Sequence, residues 1–170
     1  MAQIQDNPYS FTNADQATSV AIASIARNGE ASALVTTTGA HGLLANAKIS
    51  LQALTTVPQW RGGYRILAVP SATTFLIPIP GYKHLLANSG AEGNVLSAVF
   101  LDDNLRIEQA LWDQTTAGTS LLITDVNGFL VWNPHATLAD QPYNYGKLMW
   151  IRGLVLNTIP ANSNLQMTIN

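Results

Sequence analysis

Residues 121–132 read LLITDVNGFLVW, and this stretch decides the fold class. Two apolar runs flank the pair Asn127-Gly128, and both residues of the pair accept the positive φ angles of a tight turn. An Asn-Gly pair between apolar runs is the strongest short-range signal for a β-hairpin. The segment is therefore predicted to form two antiparallel strands that are joined at Asn127 and Gly128.

The same pattern extends over the rest of the chain. Segments rich in Val, Ile, Thr and aromatic residues recur about every 8–15 residues, with Gly, Pro, Asn and Asp between them. The predicted strands cover 18–27, 31–37, 47–52, 63–69, 73–78, 95–101, 105–113, 119–124, 128–132, 148–157 and 164–169. The best helical candidate, 83–88, has room for one or two turns before the glycines that follow it. We therefore predict an all-β protein.

Proline and glycine are concentrated midway along the chain, between residues 78 and 93. This composition indicates a boundary between two small antiparallel β-barrel or sandwich modules. The predicted organisation is an N-terminal arm (1–16), a small β-barrel module (17–81), a linker (82–94) and a β-sandwich-like module (95–170). Two alternatives stay open. The boundary could be a long crossover within one sandwich, and the arm could be flexible or could lie on a neighbouring subunit.

The content of charged residues is unusually low. Of the 170 residues, 47% are hydrophobic and only 11% are charged, whereas an ordinary soluble domain carries roughly 25% charged residues. Charged side chains stay hydrated and keep monomers apart, so a monomer normally covers its surface with them. We expect a chain that uses Thr, Ser, Asn, Gln and Ala instead to be surrounded by other protein, as a homo-oligomer that is a trimer or a dimer.

The composition also excludes several classes of function. Eight basic and ten acidic residues give a net charge of −2, so the chain has no basic stripe with which to bind nucleic acid. Cysteine is absent, which removes disulfides and thiolate chemistry. Neither a signal peptide nor an apolar run of roughly 18–20 residues is visible, so we expect no membrane partner.

No arrangement of residues predicts catalysis. The three histidines, His41, His84 and His135, are widely spaced, and none lies in a zinc-binding motif. The only acidic pair, Asp102-Asp103, would point to opposite faces of a strand and is more typical of a turn. No nucleophile elbow, phosphate-binding loop or complete calcium loop is present. We therefore expect that the chain is not an enzyme and that it binds neither a cofactor nor a metal.

The first half resembles a known β module. A Thr-rich strand is followed by His41-Gly42-Leu43, then by Gly63-Tyr64, and the pattern closes on Thr73-Thr74-Phe75. This order, over residues 31–78, resembles a small β-barrel module of many bacteriophage structural proteins, which is similar to the FCCH domain of ubiquitin-activating enzymes. The resemblance implies a β-barrel in a virion structural protein, with these eight residues as its structural motif.

The residues of this motif suit structural roles. Gly42 permits a positive φ beside a tight turn, and His41 can hydrogen-bond to the loop backbone through one ring nitrogen. Leu43 is expected to close one end of the barrel, while Tyr64 and Phe75 pack across from each other on the core side.

The second half bears its own resemblance. The hairpin at 121–132, a strand at 149–156 and a last strand at 165–169 resemble a short β domain that many phages encode near their capsid genes. Trp112, Trp132 and Trp150 each lie in a predicted strand, and we expect these three indoles to supply much of the core of this half.

The leading hypothesis is therefore a non-catalytic virion structural protein of a tailed bacteriophage. It would be a capsid decoration or cement protein that bridges capsid subunits, with the major capsid protein or other virion proteins as partners. It would be assembled in the host cytoplasm and located in the virion. One alternative is a tail, collar or baseplate component.

Another alternative is a carbohydrate- or receptor-binding module. Exposed aromatic residues stack on sugar rings, and the candidates are Trp60, Trp132, Tyr143 and Tyr145. Trp60 lies in a loop, where it is a candidate contact residue if it is exposed and a lid on the barrel if it is buried. Together with Trp60, Tyr143 and Tyr145 are the candidate interaction residues of the chain.

Overall fold

The structure of the chain, a computed structural model, describes residues 9–79, 87–136, 142–145 and 149–169. These residues form two antiparallel sheets of seven strands each, which confirms the predicted all-β class. The strands are β1 (Tyr9–Thr12), β2 (Ser19–Asn28), β3 (Ser32–Thr37), β4 (Lys48–Gln52), β5 (Gly62–Arg65), β6 (Ala68–Ser71), β7 (Thr74–Pro78), β8 (Asn94–Ser97), β9 (Phe100–Gln114), β10 (Leu122–Thr124), β11 (Leu130–Trp132), β12 (Tyr143–Tyr145), β13 (Met149–Thr158) and β14 (Ser163–Ile169). Short 3-10 turns occur at Asn13–Asp15 and Pro58–Trp60.

The first sheet curls back on itself. Its strand order is β5-β4-β8-β2-β3-β7-β6, so β5 and β6 lie at opposite ends of the order. Yet these two strands follow each other in the chain and are separated only by Ile66 and Leu67. The Ile66 N–H donates to the Ala47 carbonyl beside β4, and the Leu67 N–H donates to Leu76 of β7. The connection therefore joins the two ends of the sheet, as in a small barrel.

Alternation places the apolar residues of this sheet inside. In β3, Ala33, Val35 and Thr37 are buried, while the residues between them are half-buried. Opposite them, β7 turns Phe75 and Ile77 inward. The resulting core cluster is Ile22, Ile25, Ala33, Val35, Ile49, Leu51, Leu54, Val57, Trp60, Tyr64, Ile66, Phe75, Ile77, Ile79 and Val95.

The second sheet is built around β9, a strand of 15 residues. Along one edge β9 pairs with β14, and along the other it pairs first with β13 and then with β12. The order is β1-β14-β9-β13-β10-β11, with β12 off this path. Its core cluster is Phe11, Leu105, Ile107, Ala110, Trp112, Leu121, Ile123, Val131, Ala136, Ile151, Leu154, Leu156, Ile159, Leu165, Met167 and Ile169.

Two strands pair with partners on the far side of a predicted boundary. The strand β8, which starts within the predicted linker, is hydrogen-bonded to β2 and β4 in the first sheet. At the other end, β1 lies within the predicted N-terminal arm and pairs with β14 of the same chain. The helical candidate at 83–88 lies mostly outside the described residues. The division of the chain into an arm, two modules and a linker stays a prediction.

A polar seam joins the two sheets. The Ser50 hydroxyl donates to the Val126 carbonyl at 2.6 Å. The Gln52 amide donates to the Thr124 hydroxyl at 3.0 Å and to the Asp125 carbonyl at 3.2 Å. Ser50 and Gln52 belong to β4, whereas their partners lie in and after β10. These side chains are buried, so the hydrogen bonds fix the position of one sheet relative to the other.

Apolar and backbone contacts complete the junction. A small cluster of Ala17, Leu96, Val126 and Val155 draws residues from both sheets. The Ala17 N–H donates to Leu156 at 2.7 Å, and the Val99 N–H donates to Leu154 at 2.9 Å. The described part of the chain is thus a scaffold of two sheets with a bonded interface.

Candidate interaction surface

The motif at His41 lies inside the barrel. The His41 ring is buried, and its Nδ1 accepts a hydrogen bond from the Leu43 N–H at 3.0 Å. The ring meets Phe75 edge-to-face, with 5.2 Å between the centroids. Gly42 has a φ of +63°, and Leu43 packs half-buried against the barrel core. This arrangement orders the turn and leaves the imidazole away from solvent.

The other motif residues are structural as well. Gly63 pairs with Ser50 between β5 and β4. Tyr64 is buried, and its hydroxyl donates to the Trp60 carbonyl at 2.9 Å.

The closing threonines hold the chain just before and within β7. The Thr73 carbonyl accepts from both the N–H and the hydroxyl of Thr37, and the Thr74 hydroxyl lies 2.8 Å from that of Ser71. Phe75, the next residue, is fully buried.

Trp60 is not a surface contact residue. Its side chain is fully buried in the barrel core, and its indole N–H donates to the Ala87 carbonyl at 3.0 Å. The interpretation of Trp60 as a lid on the barrel therefore applies. For Tyr143 and Tyr145 the structure gives only the backbone, which pairs with Trp112 and Ala110 of β9. Their side chains lie outside what is described.

The hairpin at Asn127-Gly128 has a longer connection than two residues. The strands end at Thr124 and resume at Leu130. Between them, the Asp125 carboxylate accepts from the N–H groups of Asn127 and Phe129, both at 2.8 Å. Gly128 has a φ of +85°. Because the aspartate binds the turn backbone, the connection occupies 125–129 instead of a two-residue turn.

The described surface carries an apolar patch on the second sheet. Phe129 is 69% exposed, Leu130 is 61% exposed and Trp150 is 68% exposed. Trp150 was expected in the core, but in β13 it is Ile151 that turns inward, so Trp150 and Arg152 face solvent. Trp112 is fully buried as expected, and Trp132 packs partly buried against the same core. We call Phe129, Leu130, Trp150 and Arg152 the outer patch.

A groove runs through the outer patch. Its volume is about 420 Å³, and Asn104 of β9 lines it beside Trp150 and Arg152. Arg106 lies opposite Trp150 in the register and is 3.8 Å from Glu108, with both side chains about one-third exposed. The patch therefore combines an apolar centre with the guanidinium group of Arg152, and Trp and Arg are enriched at protein interface hot spots. The sequence signal that could have predicted the outer patch is the alternation at Trp150, Ile151 and Arg152, in which the aliphatic residue faces the core and its two neighbours face solvent.

Among the described residues, Glu92 has a strongly shifted pKa, and its role is structural. Its carboxylate accepts from the N–H groups of Thr55, Thr56 and Val57 at 2.9, 2.8 and 3.2 Å. The hydroxyls of Thr55 and Ser89 also donate to it. These bonds, led by that from Thr56, outweigh desolvation and lower the pKa of Glu92 from 4.5 to about 2. The carboxylate clamps two loops of the barrel together.

Among the residues described above, no three His, Asp or Glu side chains are grouped so that they could hold a metal ion. In the same ranges, no helix is long and apolar enough to span a membrane. Comparison of the chain with protein-family models, curated proteins and solved structures finds no match.

Proposed function

We propose that the chain is a non-catalytic structural protein of a tailed bacteriophage particle, a decoration or cement protein of the capsid. The observation that carries the proposal is the outer patch, where Trp150, Phe129 and Leu130 are exposed together on a sheet whose other face is a packed core. Exposed apolar patches rimmed by polar residues mark protein interaction sites. The low charge content and the two phage-like sequence resemblances support the same function.

The mechanism is mechanical. Burial of the patch against a neighbouring subunit stabilises the contact by roughly 25 cal/mol per Å² of apolar surface, while Arg152 at the rim pairs with a carboxylate of that subunit. The hydrogen-bonded seam keeps the two sheets in one arrangement, so little conformational entropy is lost on binding. A rigid scaffold of this kind links capsid subunits and opposes expansion of the shell.

The partners follow from this role. We propose the major capsid protein or another virion protein as the partner, with the chain itself forming a dimer or a trimer in the particle. A tail, collar or baseplate position uses the same kind of contact and remains the alternative. For a carbohydrate-binding module, the support from Trp60 is lost because that residue is buried.

The experiment is proteomics and imaging of gradient-purified particles from the phage that encodes the chain. We expect the chain in the particle band, with density for it repeated over the whole icosahedral lattice. Density at a single vertex or along the tail would select the tail alternative. Absence of the chain from the particle band would contradict any structural role.

A further inference from the structure

A polar cleft opens where the two sheets meet, apart from the outer patch. Its volume is about 430 Å³. Its walls come from β2, β4 and β8 of the first sheet and from the 125–129 turn and β13 of the second. The polar side chains that line it are Ser19, Gln52, Arg61, Asn94, Asn127 and Asn157. We call it the amide cleft, since four of these six residues carry a side-chain amide.

The floor of the amide cleft is held in place by hydrogen bonds. Gln52, only 7% exposed, donates to the Thr124 hydroxyl at 3.0 Å and to the Asp125 carbonyl at 3.2 Å. The Thr124 hydroxyl donates to the side-chain oxygen Oδ1 of Asn157 at 2.8 Å, and the side-chain Nδ2 of Asn157 donates to Gln52 Oε1 at 3.5 Å. The closed ring fixes the direction of two amides, so a ligand would meet a preorganised surface.

Other polar groups in the cleft keep hydrogen-bonding capacity. Within the described ranges, the Asn94 amide and the Ser19 hydroxyl form no hydrogen bond with the protein. The side-chain N–H of Asn127 donates to the Asp125 carboxylate at 3.3 Å. The side-chain oxygen of Asn127 lies beside Gly62, 3.5 Å from the position that a Cβ atom would occupy if Gly62 were alanine. These three side chains come from β2, β8 and the 125–129 turn and meet at one cavity.

The chemistry of the lining selects the ligand. Apart from Arg61, the polar lining consists of amides and one hydroxyl, whose paired donors and acceptors match the adjacent hydroxyl groups of a sugar ring. Leu96 also lines the cleft, but its side chain is only 6% exposed and packs in the junction cluster with Val126 and Val155. No aromatic side chain lines the described cleft, so recognition of a ligand there depends on hydrogen bonds and not on ring stacking. Arg61 also lines the cleft, and its Nε–H donates to the Leu54 carbonyl at 2.8 Å, which anchors this side chain at the wall of the site.

We infer that the amide cleft binds a neutral saccharide of one or two sugar rings. The volume lies within the range of small-ligand pockets, roughly 300–1,000 Å³. The inference does not depend on the proposed structural function. It also differs from the carbohydrate alternative drawn from the sequence, because none of the aromatic candidates lines this cleft.

The test is saturation-transfer NMR and calorimetry of the full chain with a panel of glucose, galactose, mannose, N-acetylglucosamine, lactose and maltose at millimolar concentration. We expect saturable binding of at least one sugar. Asn94→Ala should weaken it roughly three- to tenfold, as loss of one or two neutral hydrogen bonds predicts, and the double variant with Ser19→Ala should weaken it further. Both side chains lack hydrogen bonds within the described protein, so the variants are expected to fold.

Two controls separate the outcomes. Asn133→Ala removes an exposed amide outside the cleft and should bind as the wild type does. Trp150→Ala removes the indole of the outer patch and should also leave binding unchanged. The inference is overturned if no sugar of the panel binds saturably, if Asn94→Ala binds with unchanged affinity, or if Trp150→Ala is the variant that abolishes binding.

Discussion

At the scale of single residues, Gly93 shows how closely the barrel packs before β8. Its φ is +73°, and an added Cβ would lie 2.5 Å from the Gln52 carbonyl oxygen and 2.9 Å from Leu54 Cδ2. The first contact is with backbone, which cannot move aside as a flexible side chain can. Gly118 has a similar φ of +78° but open space around it. The pair therefore separates backbone strain from steric conflict.

Gly93→Ala should lower the free energy of unfolding by about 2–4 kcal/mol, because a positive φ and a steric overlap act together. Gly118→Ala has the unfavourable positive φ but no steric overlap, so its free energy of unfolding should fall by only about 1–2 kcal/mol. Urea denaturation followed by circular dichroism measures both. Equal losses in the two variants would show that the close approach of Gln52 to Gly93 is absent.

Glu92 gives a pH dependence with a defined sign. Its pKa is lowered from 4.5 to about 2 in the folded chain by the hydrogen bonds it accepts. A depressed pKa means that the ionised group stabilises the fold above pH 4.5 and that this contribution disappears as the pH falls toward about 2.

Melting temperatures of wild type and Glu92→Gln should therefore differ at neutral pH and converge between pH 4.5 and about 2. Glu30→Gln, in an exposed turn, is the control for loss of one negative charge. A difference between wild type and Glu92→Gln that stayed constant over this pH range would contradict the clamp.

At the scale of elements, local pattern predicted strands better than it predicted their partners. The pattern placed strands at 31–37 and 73–78, and the structure has β3 and β7 there because alternation and flanking turns are local properties. The pairing of β8 with β2 and β4, and of β1 with β14, depends on contacts far apart in the chain. No local pattern encodes such pairing.

Local pattern likewise predicted some features of the candidate sites and missed others. The burial of Phe75 followed from its place in a strand, whereas the exposure of Trp150 did not follow from its size and apolar character. In β13 the neighbouring Ile151 and Arg152 decide which face turns inward. The amide cleft could not be predicted at all, because its walls come from segments more than 100 residues apart, such as Ser19 and Asn157.

The seam between the sheets gives a prediction at this scale. Gln52→Ala removes the amide that donates to the Thr124 hydroxyl and to the Asp125 carbonyl, so these buried acceptors lose a hydrogen bond. The free energy of unfolding should therefore fall by about 1–3 kcal/mol. Gln166→Ala, exposed on β14, should change it by less than about 0.5 kcal/mol. Chemical denaturation of the two variants measures the difference. Similar losses of unfolding free energy in the two variants would mean that the hydrogen bonds of the seam do not stabilise the fold.

At the scale of the whole molecule, the low charge content and the outer patch point to burial of surface against other protein. Native mass spectrometry at low micromolar concentration should therefore show a closed dimer or trimer. A clean monomer would contradict self-association and would confine the contacts of the chain to its partner in the particle.

The central claim is that the outer patch attaches the chain to a virion. Its most direct test is co-sedimentation of purified chain with phage particles that lack it. The wild type should pellet with the particles, and Trp150→Glu should remain in the supernatant because a charge replaces the apolar centre of the patch. Leu44→Glu changes another exposed apolar residue, 76% exposed on the barrel, and should pellet like the wild type. Failure of the wild type to pellet, or equal pelleting of Trp150→Glu, would contradict the account.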